Sequence, residues 1–183
     1  RGIGRACALA LAKRGYDVAV NYVSNEAAAQ AVVAEIEALG VRSLAVRANT
    51  AELPEVKDMF RTVVREMGGL DVLVNISSVS SVLAIPGQSV YSATKGAVNA
   101  LTATLAKELA PYGIRVNAVA PGFVETEMLD HIPQEQREGY LKSVPMGRFA
   151  KPEEVGDAVC TLCDPTLSYL TGQTLILDGG LSL

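Results

Sequence analysis

Tyr91 and Lys95 stand four residues apart in Tyr-Ser-Ala-Thr-Lys, a spacing that puts both side chains on one face of a helix. A free phenol titrates near pH 10, too high to exchange protons easily at neutral pH. An ammonium one turn away favours the phenolate and makes the group a better proton donor and acceptor. Ser78 precedes Tyr91 by thirteen residues, where a strand is expected to end. A hydroxyl there can hold a substrate oxygen beside the phenol. Alone, a Tyr-x-x-x-Lys pair also reads as an ordinary surface pair on a helix. The serine spacing and a glycine turn at Arg1-Gly2-Ile3-Gly4 shift the reading toward chemistry.

These residues need a scaffold, and the pattern supplies one by alternating helix and strand. Helices are expected over residues 5–14, 27–39, 54–67, 91–110 and 152–163, with Gly15, Gly40 and Gly68-Gly69 as stops. Strands are expected over residues 17–21, 43–46, 70–74, 76–79, 114–118 and 174–177. The strands are apolar without polar alternation, which predicts an α/β fold: a doubly wound parallel sheet with helices on both faces. Repeats, low-complexity tracts and linkers are absent from the pattern, so a single domain over residues 1–183 is expected.

Two places break that pattern. A dinucleotide turn needs a strand before it, and Arg1 opens on the turn itself. Leu70-Asp-Val-Leu-Val-Asn75 also runs directly into Ile76-Ser-Ser-Val79. If these are two parallel strands, a crossover of about a dozen residues or more must separate them. One strand of ten residues is the alternative, longer than the usual five or six. A preceding strand and a segment near residues 75–76, together about 60 residues, are therefore expected in the protein. An intact mass near 19.2 kDa would contradict that.

With the blocks laid out in order, the chain resembles the short-chain dehydrogenase/reductases. Ser78, Tyr91 and Lys95 resemble that family's active site, and Arg1-Gly-Ile-Gly-Arg-Ala6 the second half of its Thr-Gly-x-x-x-Gly-x-Gly turn. Leu70–Asn75 resembles the strand leading into Asn-Asn-Ala-Gly. Val116-Asn-Ala-Val-Ala-Pro-Gly-Phe-Val-Glu-Thr126 resembles the strand and loop over the nicotinamide, and Thr171–Gly180 the closing strand. The resemblance implies a Rossmann-type fold and hydride transfer between NADP(H) and a carbonyl or alcohol. It implies Tyr91 as general acid in reduction, Lys95 as its activator and ribose contact, and Ser78 as the residue that orients the carbonyl. It places Gly2, Ile3 and Gly4 at the pyrophosphate, Asn49 and Thr50 at the adenine, Asn75 near the adenosine ribose, and Pro121, Gly122, Val124 and Thr126 at the nicotinamide end. The first glycine of the turn, most of Asn-Asn-Ala-Gly and the helix with the family's catalytic asparagine have no match.

NAD-selecting sites place an acid at the end of the second family strand. Val20-Asn21-Tyr22-Val23-Ser24 has none. Arg1 offers a cation for a 2′-phosphate, with Asn21, Tyr22 and Ser24 as uncharged neighbours, so NADP(H) is expected over NAD(H). The spelling looks closest to the 3-oxoacyl-(acyl-carrier-protein) reductases of fatty acid biosynthesis, which implies a small-molecule or acyl-carrier-linked carbonyl substrate. The alternatives are a reductase or dehydrogenase of a sugar, steroid or small ketone, an enoyl-thioester reductase, and a non-catalytic nucleotide-binding protein. The enoyl reductases tend to separate tyrosine and lysine by six residues; here three intervene. A homotetramer is implied, with residues 91–110 across one interface and the last strand near another.

The remaining chemistry-bearing residues read as ordinary. The formal charge of −4 argues against nucleic acid or an anionic membrane, and no apolar run or secretory leader is present to suggest a membrane span or export. Cys160-x-x-Cys163 lies in an apolar helical pattern and reads as two packed thiols, not a metal or redox site; a reducing cytoplasmic compartment follows. His131 lacks a paired acid or nucleophile, and Glu125, Glu127 and Asp130 read as a solvated loop, so no metal is expected. Residues 128–144, with Tyr140 and Leu141, are expected to form a mobile lid over the substrate.

Overall fold

The computed structural model describes residues 2–127, 129 and 132–183. By its internal packing the chain divides into two compact units, residues 3–70 and residues 71–183.

The first unit is built from α1 (Gly2–Ala12), β1 (Val18–Tyr22), α2 (Glu26–Glu37), β2 (Ser43–Arg47) and α3 (Leu53–Met67). The Asn25 side chain starts α2 by accepting a hydrogen bond from the Ala28 N–H. Ala29, Val32, Val33 and Ile36 then recur at helical spacing and are buried. At the end of α3, Gly68 takes the left-handed conformation that a side chain would resist, φ 88°. β1 and β2 pair in parallel from Val18↔Ser43 to Tyr22↔Arg47. Ala8, Ala12, Val18, Val32 and Ile36 form the core between the pair of strands and the helices.

The second unit runs β3 (Val72–Ile76), α4 (Ser89–Leu109), β4 (Arg115–Pro121), α5 (Gln134–Ser143), α6 (Pro152–Cys163) and β5 (Thr174–Leu177). Its strands are ordered β3-β4-β5 and are all parallel, with α4 and α6 in the crossovers. Both helices pack on β4, and every β4 residue after Arg115 is buried whichever way it points. That is the burial expected of a central parallel strand. The Arg115 guanidinium caps the end of α6, donating to the carbonyls of Leu162 and Cys163 at 2.7 and 2.9 Å. Cys160 and Cys163 lie buried on α6. Burial, with Cys160 adding to it, pushes the Cys163 thiol up to about 11.

The α/β class with parallel strands stands, but three expectations change. Residues 76–79 are not a further strand: Ile76 ends β3, and Val79–Ser81 is a turn of 3-10 helix. The serines are the cause. The Ser78 hydroxyl accepts from the Ser80 N–H, and its carbonyl accepts from the Ser81 N–H and hydroxyl, which draws the chain out of the ladder. The strands pair as two parallel sheets, of two and three strands, where one was expected. Residues 134–143 form a helix that the sequence pattern did not announce, because Gln-Glu-Gln-Arg-Glu-Gly-Tyr-Leu-Lys-Ser has no apolar stripe. Among the described residues, no helix is long and apolar enough to cross a membrane, and no cluster of His, Cys, Asp and Glu is placed to hold a metal ion. Arg1, Met128, Asp130 and His131 lie outside the described residues.

Candidate active site

The end of β3 and the first turns of α4 are stitched together by side chains. Ser77 donates its N–H to the Val119 carbonyl and its hydroxyl to the Lys95 carbonyl, at 2.7 and 3.1 Å. The Lys95 ammonium returns the connection by donating to the Ile76 carbonyl at 2.9 Å. From there it lies 5.7 Å from the centre of the Tyr91 ring, within the range of a cation–π contact. One charged group is thus bonded to the last residue of the strand and lies over the Tyr91 ring. Further along α4, Asn99 donates to the Ser81 hydroxyl at 2.9 Å, and Asn75 donates to Thr102 at 3.0 Å.

Ser78 sits in the same frame. It is 8% exposed, follows Ser77 out of the strand, and is fixed by its turn. The Ser80 hydroxyl is tied at 2.8 Å to Gln88, the residue that precedes α4. Tyr91 is 47% exposed, so the phenol is open to a reactant while its helix is held. The structure therefore brings Tyr91 and Lys95 together and anchors Ser78 to the same strand end and helix start.

A second loop in this unit leaves β4. Gly122 donates its N–H to the Leu177 carbonyl at 2.9 Å. A β-carbon on Gly122 would lie 3.0 Å from both Cα and Cβ of Asp178, a tight contact that would press on the Asp178 backbone. Asp178 is itself fixed: Gly180 and Ser182 donate their N–H groups to its two carboxylate oxygens at 2.9 and 2.8 Å. Burial raises its carboxyl, and the bonds from Ser182 and Gly180 outweigh that and hold it below the usual range. Val124 is buried and forms a parallel bridge with Ala150, and the Thr126 carbonyl accepts from Leu129. Pro121, Gly122, Val124 and Thr126 thus form one braced loop.

The first unit carries the other predicted residues. Gly2, Ile3 and Gly4 open α1, which presents its first N–H groups there. Asn21 and Tyr22 end β1, and Ser24 follows. The Asn21 amide donates to the carbonyls of Val46 and Ala48 at 3.1 and 3.0 Å, which commits its N–H groups to holding the chain after β2. Burial and the neighbouring Glu26 push the Tyr22 phenol up. Asn49 accepts from the Ala51 N–H, a local turn ahead of α3, and Thr50 is exposed. Arg1 is outside the described residues.

Sequence reasoning missed Arg47. It pairs in register with Tyr22, and its Nε donates to the Val23 carbonyl at 3.3 Å. No carboxylate among the described residues pairs with it. A cation therefore lies beside residues 22–23, with the Glu26 carboxylate also close to Tyr22. Its signal was strand register, which places residues 25 apart side by side.

Comparison with known proteins agrees with this arrangement. Residues 1–75 match the short chain dehydrogenase family model, and residues 73–182 match a model described as enoyl-(acyl carrier protein) reductase. A 3-oxoacyl-(acyl-carrier-protein) reductase of Staphylococcus aureus strain Mu50 is 38% identical, covering 99% of this chain and 94% of its own. Its counterpart in Synechocystis is 37% identical over 99% of this chain and 93% of its own. The Staphylococcus match extends over 231 residues, 48 more than this chain's 183, so that relative carries internal residues without a counterpart here. Among solved structures, a dehydrogenase/reductase of Sinorhizobium meliloti superposes with a TM-score of 0.90 at 31% identity, over all of this chain and 92% of that one. Acetoin dehydrogenase of Enterobacter cloacae gives 0.84 at 31%, over 99% and 91%. With these matches over nearly its whole length, and a Tyr-x-x-x-Lys helix braced against a serine-bearing strand end, the chain belongs to the short-chain dehydrogenase/reductase family and is an oxidoreductase of carbonyl and alcohol groups.

Proposed function

We propose that the protein reduces a 3-oxoacyl thioester to the 3-hydroxyacyl thioester with NADPH, as a step of fatty acid biosynthesis. The observation that carries this is the Lys95 ammonium, held on the Ile76 carbonyl at 2.9 Å and lying 5.7 Å from the Tyr91 ring. Reduced nicotinamide, when bound, supplies the hydride. Ser78 donates a hydrogen bond to the substrate carbonyl oxygen, and Tyr91 delivers a proton to that oxygen as negative charge develops on it. The Lys95 side chain lies over the ring that gives up the proton.

The residues present fit such a cofactor. In the second unit, the glycine of Pro121-Gly122 lets the braced loop lie flat against Asp178, and Val124 and Thr126 continue its edge toward the nicotinamide end. In the first unit, Gly2, Ile3 and Gly4 offer a helix N-terminus for the pyrophosphate. Asn49 and Thr50 would face the adenine. Tyr22 and Ser24, with no acid among residues 21–24, leave room for a 2′-phosphate beside Arg47, and Arg1 is a second candidate cation by its sequence position. Asn21 has only its amide oxygen uncommitted, and Asn75 donates to Thr102.

Three further parts of the reading go with it. The whole protein is one Rossmann-type domain, completed by a segment near residues 75–76. The point where the two family matches meet, residues 73–75, supports that placement. It assembles as a homotetramer, for which exposed Val90 and Leu101 on α4 and Leu175 and Ile176 on β5 offer apolar contact. It works in the cytoplasm.

A second reading, reduction of an enoyl thioester, has in its favour the description of the family model over residues 73–182. The spacing of Tyr91 and Lys95 and the names of the curated relatives favour the keto substrate. NADPH consumption with acetoacetyl-CoA and with crotonyl-CoA separates them. Turnover of acetoacetyl-CoA is expected; turnover of crotonyl-CoA alone would reverse the order.

A further inference from the structure

Helix α5 lacks the usual means of attachment. None of its residues is buried, and its sequence gives it no apolar stripe to lay on the core. Aromatic contacts take that place. The Tyr140 ring stacks on Phe123, with centroids 4.6 Å apart and planes 21° from parallel. Phe123 in turn meets the buried Phe149 at 5.6 Å, and the Arg137 guanidinium lies 5.6 Å over the Phe149 ring. The Tyr140 hydroxyl accepts from Gln136 at 2.7 Å within the same helix, so the stack needs the ring and not the hydroxyl.

The two halves of this contact differ in how firmly they are held. Phe123 follows Gly122, whose backbone is bonded to Leu177 and pressed on Asp178, and its own carbonyl accepts from Ala150 at 2.9 Å. It also lines a pocket of about 130 Å³ with Val144, Met146 and Leu177. Tyr140 has behind it a helix with no buried residue, held otherwise by Arg137 over Phe149 and by Val144, buried just past its end. A segment with few buried contacts opens at a cost set by those few.

We propose that the Tyr140–Phe123 stack is a latch that holds α5 against the Pro121–Thr126 loop, and that Tyr140 is thereby a positioning residue for the carbonyl substrate. This rests on the proposed reduction, in which that loop carries the nicotinamide end. Closing α5 beside the loop orders the substrate and keeps water from it. The phenol of Tyr140 takes no part in proton transfer.

The test compares the wild type with Tyr140→Ala and Tyr140→Phe. Trypsin can cut α5 after Arg137 and Lys142, and its rate follows the open population. Tyr140→Ala is expected to be cut there about five- to tenfold faster, the factor an aromatic pair of ordinary strength is worth; Tyr140→Phe should match the wild type. With NADPH, KM for acetoacetyl-CoA should rise by about the same factor in Tyr140→Ala, with kcat within about twofold and NADPH affinity unchanged. Tyr140→Phe should restore KM. Wild-type cutting rates in Tyr140→Ala would overturn the latch, and faster cutting with an unchanged KM would overturn the positioning role. The trypsin comparison needs no turnover, so a protein that reduces no thioester would contradict the reaction and leave the latch to be judged by cleavage.

Discussion

The units at residues 3–70 and 71–183 hold their candidate functional residues by different means. In the first, an apolar cluster of Ala8, Ala12, Val18, Val32 and Ile36 carries the packing. The residues proposed to face a ligand lie at strand ends and in a helix's first turn, where backbone N–H groups and an arginine are offered. In the second, side chains do the holding: Ser77 bonds the Lys95 carbonyl, and Ser80 pairs with Gln88, Ser81 with Asn99 and Asn75 with Thr102. Binding a charged dinucleotide tolerates positional error, because charge acts over distance. Proton transfer does not, because a misplacement of about 1 Å can cost about 100-fold in rate. Polar stitching of this kind is demanding: the Asn99 amide oxygen is buried without a hydrogen-bond partner among the described residues.

That contrast can be broken from the second unit first. Lys95→Met removes the charge beside Tyr91 together with its bond to Ile76. Steady-state kinetics should show kcat reduced about 100-fold or more. Gly122→Ala places a β-carbon 3.0 Å from the Asp178 Cα, and overpacking of this kind costs about 1–3 kcal/mol. Thermal unfolding should show Tm lower by about 3–10 °C; an unchanged Tm would mean the loop is not braced there.

In the first unit, Arg47→Ala should weaken NADPH about tenfold in a fluorescence titration and leave NADH alone, with kcat at saturating NADPH unchanged. Equal loss for both cofactors would mean Arg47 does not meet the 2′-phosphate. The smallest effect belongs to the Arg148–Glu154 pair. Arg148 and the Lys151 N–H hold the Glu154 carboxyl at about 2. A depressed carboxyl stabilises the fold above its unfolded value near 4.3 and loses that stabilisation as pH falls toward 2. The pair is partly exposed, so it is worth about 1 kcal/mol or less. Glu154→Gln should lower Tm by about 1–3 °C at pH 7, a gap that closes on acidification from about pH 4.5 to about pH 2.

The most local patterns were the ones the sequence made readable. Tyr91, Lys95 and Ser78 could be singled out as candidates because helical spacing and a strand end are short-range facts, with their roles implied by the family resemblance, and most helices and strands around them follow from apolar periodicity. Arg47 escaped because its neighbour Tyr22 comes to it through strand register, which spacing does not encode. Helix α5 escaped because it has no buried face, and periodicity reads only burial. Residues 76–79 misled in the other direction: Ile-Ser-Ser-Val has the composition of a strand, but successive hydroxyls found backbone partners nearby and turned the chain. Asn21, read as a cofactor contact, donates both its N–H groups to backbone carbonyls, a use visible only once β1 and β2 are paired.

The account stands or falls on one phenol. Tyr91→Phe keeps the ring over which Lys95 lies and removes only the hydroxyl, so NADPH should bind as in the wild type while kcat for acetoacetyl-CoA drops by about 100- to 10,000-fold. If the variant turns over the thioester at the wild-type rate, Tyr91 is not the proton donor and the site has been assigned to the wrong chemistry.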